Sequence, residues 1–170
     1  MPTAPVWRST EPLPGRLLSL LPTTHSPDTK ETKIMNIQTI TSTIAPAFQA
    51  EEHGHQVRIR TARGYLVGWY SAGAEELRVC LSVNLELEAT EDAITSSEDA
   101  AAALLTEAAE EWSGWEVPGE VSRGEYALSG EPDHVGVCWD LELTRAVSTP
   151  EELLEAITFA DAQETLLAFD

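Results

Sequence analysis

Lysine disappears from this chain after Lys33. Beyond that point arginine is the only fixed cation. The first 35 residues carry four basic side chains (Arg8, Arg16, Lys30, Lys33) against three acids (Glu11, Asp28, Glu31). Residues 36–170 hold the other six basic residues against 26 acids, a net charge of −20. A body this acidic repels phosphate backbones, which disfavours direct nucleic-acid binding. It suits solubility, or docking on a basic protein surface. Cysteine is almost absent too. Cys80 and Cys138 fall in separate predicted strands and form no CxxC. Two buried thiols are the plain expectation, with a disulfide or a metal site as the alternatives. Apolar runs are only a few residues long, such as Leu17-Leu18 and Leu20-Leu21, far short of a membrane span. The broken run around Arg16 is too short and too proline-rich for a secretory signal, so a cytoplasmic protein is expected. HExxH, GxSxG, Walker A and GxGxxG are all missing. No enzyme activity, cofactor or bound metal is therefore expected.

Hydrophobic residues make up 42% of the 170, enough for a sizeable core in one domain, with a tail. The tail is residues 1–34. It holds six of the ten prolines and no sustained periodicity, so it reads as disordered. Its last codons allow a second reading. Lys30-Glu31 can be encoded AAG-GAG, a ribosome-binding sequence, and three codons then precede Met35. On that reading residues 1–34 are translated leader DNA and Met35 is the start.

The body, 35–170, reads as one domain. Asn36 to Glu52 is predicted helical, with Ile37, Ile40, Ile44, Ala47 and Phe48 on one face. Pro46 must kink it or end it early, and His53-Gly54 marks its stop. His55 to Thr61 alternates as a strand, Val57 and Ile59 against Gln56, Arg58 and Arg60. Tyr65 to Ser71 is a second strand, with Tyr65, Val67 and Trp69 on one face. Leu77, Val79, Leu81, Val83, Leu85 and Leu87 alternate with polar residues in the clearest strand of the chain. Thr95 and Glu98 suggest a capping box opening a helix from Ser96 to about Trp112, with Leu104, Leu105 and Ala108 as its stripe. Val121 to Leu128 is a weaker strand. Val135 to Leu143 alternates strongly again. Thr149-Pro150-Glu151-Glu152 starts the last helix, whose buried stripe is read as Leu153, Leu154, Ile157, Ala160 and Leu167. The order is α-β-β-β-α-β-β-α. An α+β fold is expected, an antiparallel sheet with helices mainly on one face.

Few residues stand out as chemistry. His53 and His55 are the only close histidine pair and read as loop surface; His134, at a strand start, reads as partly exposed. Glu107, Glu110 and Glu111 follow helical spacing and read as a solvated face. Trp139 and Trp69 lie on apolar strand faces and read as core. Trp112 and Trp115 flank a helix end and could cover the core edge or anchor an interface, since aromatic anchors carry much binding energy. Trp112, Trp115 and Trp69 are the protein-binding candidates.

The element order, and the stretch VGVCWDLELTRAVSTPEELLEAI at 135–157, resemble the YbjN family and the type III secretion chaperone-like fold. The stretch is similar to the family's final strand, short turn and helix opened by S/T-P-E-E. The resemblance spans about 36–170, while the central helix, SSEDAAAALLTEAAEEW, lacks the family's asparagine-rich signature. It implies an acidic, homodimeric, bacterial protein that binds other proteins in a chaperone-like or regulatory role, with no catalytic residues to carry over. The alternative is an acidic inhibitor, an immunity protein or nucleic-acid mimic, that blocks a basic partner. An inhibitor needs its carboxylates on one face and binding that weakens steeply with salt. A chaperone-like module needs an exposed apolar patch and tolerates salt.

Overall fold

Proline decides the first element. In a computed structural model, which describes residues 35–169, helix α1 (Ile37–Ile44) ends just before Ala45-Pro46. Asn36 caps its start by accepting from the Thr39 N–H. Proline cannot donate to the helix and pushes the residue before it into extended backbone; Ala45 is extended accordingly, with ψ 152°. The helix predicted to run to Glu52 therefore stops at Ile44. Phe48–His53 instead forms strand β1. It is an additional strand that the sequence pattern had hidden, and Gly54, at φ 64°, turns it into the next one. The tail reading and the leader reading of residues 1–34 lie outside the described residues.

Strands β2 (Gln56–Thr61), β3 (Leu66–Ser71) and β4 (Glu76–Glu88) follow as a meander. Helix α2 (Glu91–Glu110), β5 (Ser122–Ala127), β6 (His134–Ala146), α3 (Pro150–Ala162) and the two-residue β7 (Leu166–Leu167) complete the chain. The sheet has seven strands, in the order β1-β2-β3-β4-β6-β5, all antiparallel neighbours; β7 adds to β4 in parallel. This is the expected α+β arrangement. The described residues, 35–169, belong to one unit.

β4 and β6 are its spine, paired over thirteen positions from Glu76↔Ala146 to Glu88↔His134. Alternation puts Leu77, Val79, Leu81 and Val83 on one face with Val137, Trp139, Leu141 and Leu143, and all eight are buried. α2 packs on β4 and β6, α3 on β3 and β4, and α1 on β1 and α3. Their contributions to the core include Ile40, Ile44, Ile94, Leu105, Leu153 and Ile157. The other sheet face carries polar residues of β4 and β6.

Three more expectations are corrected. α2 begins at Glu91, not Ser96, because Thr90 is the cap; its hydroxyl accepts from the Ala93 N–H. Glu91 and Asp92 in the first turn suit the helix dipole. Thr95 is thus inside the helix. α3 has the capping box formed by Thr149 and Glu152, with Pro150 in its first turn, but stops at Ala162. Leu167 therefore belongs to β7 and not to the helical stripe. In β3 the parity is reversed: Gly68 and Tyr70 are buried, and Trp69 lies on the outer face. Gly68 permits close approach, because a Cβ there would meet the Arg78 carbonyl at 2.5 Å.

Candidate functional site

Small side chains shape one concavity. Along one flank of α2, Ala102, Thr106 and Ala109 recur at helical spacing and leave the helix thin. The chain returns past that flank through residues 117–121. Between the two lies an apolar groove of about 570 Å³, walled by Ala102, Ala109, Val117 and Val121, with Leu141 also lining it. Val117 is 48% exposed. Glu98, Glu110 and Glu120 line the same groove, so a mostly apolar hollow meets carboxylates.

The helices extend that charge. α2 with its C-cap carries Glu91, Asp92, Glu98, Asp99, Glu107, Glu110 and Glu111, and no basic residue. Glu107, Glu110 and Glu111 are all exposed, as a solvated helix face should be. α3 adds Glu151, Glu152, Glu155 and Asp161, again without a base. Arginine concentrates elsewhere. Arg58, Trp69 and Arg78 stand opposite one another across β2, β3 and β4 on the outer sheet face. The Arg58 guanidinium stacks on the Trp69 ring, and His53 meets the same ring edge-on with centroids 5.8 Å apart. Arg58 and Arg60 lie 3.8 and 3.9 Å from Glu51, and Arg78 lies 2.9 Å from Glu76.

The three tryptophan candidates are not brought together. Trp112 is only 4% exposed; it packs edge-on against Trp115 and Phe159, at 5.1 and 5.2 Å. It is a core residue closing the end of α2, and this corrects its candidacy as a surface anchor. Trp115 is half-buried in the same cluster, stacked on Phe159 at 6.4 Å. Trp69 alone reaches the outer face, half-buried beneath Arg58.

The thiols also differ from expectation. Cys80 is exposed and Cys138 half-buried, both free, because they alternate with the buried leucines and valines of β4 and β6. Desolvation, with Asp140 nearby, pushes Cys80 up to about 11. Desolvation and a hydrogen bond to Asp140 push Cys138 up to about 12. Both are protonated at neutral pH and poor nucleophiles. The Ser82 hydroxyl donates to Asp140 between them, at 2.5 Å. Among the described residues no group of three or more His, Cys, Asp or Glu is placed to hold a metal ion. None of their helices is long and apolar enough to cross a membrane.

No family model, curated protein or solved structure matches the chain. The groove went unnoticed in the sequence because its second wall, residues 117–121, is defined only by folding. The one available signal was the alanine content of α2.

Proposed function

We propose that this chain is a non-enzymatic, cytoplasmic protein-binding module of chaperone-like or regulatory type, working as a homodimer. The acid-rimmed apolar groove beside α2 carries this reading. It offers a partner a place for an apolar side chain, ringed by carboxylates that favour basic neighbours. The secretion-chaperone-like resemblance of the element order and of residues 135–157 supports it. So does the protonation of both thiols, which removes them as nucleophiles at neutral pH.

Val117→Asp tests the groove, because it puts a charge into the hollow at an exposed position. Wild-type protein immobilised in lysate of its source cells should retain a partner at both low and high salt, and the variant should lose it. Equal capture by both proteins would overturn the groove as the site. Light scattering tests the homodimer: a mass near 18.5 kDa at all concentrations would exclude it.

A second reading has its own support. The acids of α2 and α3 outnumber the arginines that reach them, Arg123 at Glu91 and Arg145 at Glu155, and suit an inhibitor of a basic partner. Capture would then fall steeply between low and high salt, since exposed charge pairs are screened, and Val117→Asp would leave it intact.

A further inference from the structure

β4 outruns its partners on the side away from β6. β3 pairs with it only at Glu76–Arg78, and β7 only at Ser82 and Val83. On that side, among the described residues, no strand pairs with Asn84–Glu88. Direction follows from two hydrogen bonds. The Ser82 N–H donates to the Thr165 carbonyl on the β7 side, at 2.8 Å. The Ala89 N–H donates to the Asp133 carbonyl beyond the end of β6, at 2.8 Å. Antiparallel backbone groups alternate in direction along a strand. The N–H groups of Asn84 and Glu86 therefore point like that of Ser82, away from β6.

We infer that this overhang of β4 is a docking edge for an extended basic–apolar segment of a partner protein, which adds as a strand beside β7. An unpaired edge offers main-chain hydrogen bonds to any extended chain. Charge selects the occupant. Asn84, Glu86 and Glu88 are exposed on the outer face, while Leu85 and Leu87 are half-buried on the other. A strand that alternates Lys or Arg with apolar residues matches both faces. Two copies of this edge would set carboxylates against carboxylates, which disfavours self-pairing. The seam next to the edge is open: Leu66, Trp69, Ser82, Asn84 and Leu166 line a slot of about 280 Å³. Leu166 is 56% exposed. The edge is separate from the α2 groove and does not depend on it.

The probe is a blocked octapeptide alternating lysine and valine, with an alternating lysine–proline octapeptide of equal charge as control. The full chain is titrated with each, and amide exchange is followed by NMR. The lysine–valine peptide should slow exchange at Asn84 and Glu86 at least ten-fold, and the proline peptide should not. Glu86→Pro removes the outward donor without touching the ladder to β6, and should weaken binding at least ten-fold. Glu86→Lys keeps the backbone and should weaken it as well. Equal binding of the two peptides, or wild-type binding by Glu86→Pro and Glu86→Lys, would overturn the inference. Protection of these amides without peptide would also overturn it. If that protection grows with protein concentration the edge holds a second copy; if it is constant, the edge holds a segment of the same chain, residues 1–34 or those that follow Leu167.

Discussion

The Arg58 guanidinium lies 4.6 Å from the centroid of the Trp69 ring, and Arg58 and Trp69 are direct cross-strand partners in β2 and β3. The pair packs on the outer face of the sheet. Half-exposed cation–π pairs contribute about 0.5–1 kcal/mol. Trp69→Ala should cost about 1–2 kcal/mol in urea unfolding, the pair together with lost ring packing. Trp69→Phe should cost less. A cycle with Arg58→Met should return a coupling of about 0.5–1 kcal/mol; zero coupling would show that the stack contributes nothing.

Gly68 leaves no room for a Cβ between β3 and β4. Gly68→Ala should force the strands apart, because the obstacle is the Arg78 carbonyl and not a movable side chain. A loss of about 1–3 kcal/mol is expected. Gly73→Ala, where an added Cβ meets nothing within 4 Å, is the control and should be nearly neutral. Thermal melts of the two variants separate them.

The cap of α2 differs from its sequence signal in a measurable way, while that of α3 matches it. Thr90→Ala and Thr149→Ala should each cost about 1 kcal/mol, by loss of a hydroxyl that accepts from a first-turn N–H. Thr95→Ala, at an exposed position inside α2, should cost nothing and gain a few tenths of a kcal/mol, because alanine is the better helix former. Denaturation midpoints decide; a large loss at Thr95 would restore it as the cap.

Alkaline pH should unfold the protein by a predictable route. Burial and nearby Glu75 raise Tyr70 from 10.0 to about 12, and the two thiols rise from 9.0 to about 11 and about 12. Each group keeps its proton longer in the folded chain than in the unfolded one. Their contribution is complete below pH 9 and is lost as pH rises toward 12. Cys80→Ser with Cys138→Ser should flatten that slope. At pH 8 the native thiols should also react with iodoacetamide roughly ten-fold more slowly than the urea-unfolded chain. The lower thiolate fraction outweighs the greater nucleophilicity of a more basic thiol. Equal rates would contradict the raised values.

Period-two patterns in β4 and β6 were legible because they persist over many residues and most of one face is buried. Shorter signals failed for identifiable reasons. Phe48 matched the helical stripe of Ile40 and Ile44, and only Pro46 argued otherwise. Trp69 resembled a core residue because its alternation partner Gly68 has no side chain to declare the buried face. β7 is two residues long and has no period to detect. Trp112 and Trp115 were correctly placed at a helix end, but Phe159, which fixes them, comes from another helix. The groove needs α2 and residues 117–121 side by side, a relation that local pattern does not contain.

The hydrogen bond from Ala89 to Asp133 sits at the point where β4 and β6 close on each other. Everything between them, including α2, both walls of the groove and β5, departs and returns through that one gate. The groove is thus carried on a single excursion from a thirteen-rung ladder. It can lengthen, shorten or be exchanged as a cassette while the ladder keeps its register, so long as the residues that face the core stay apolar.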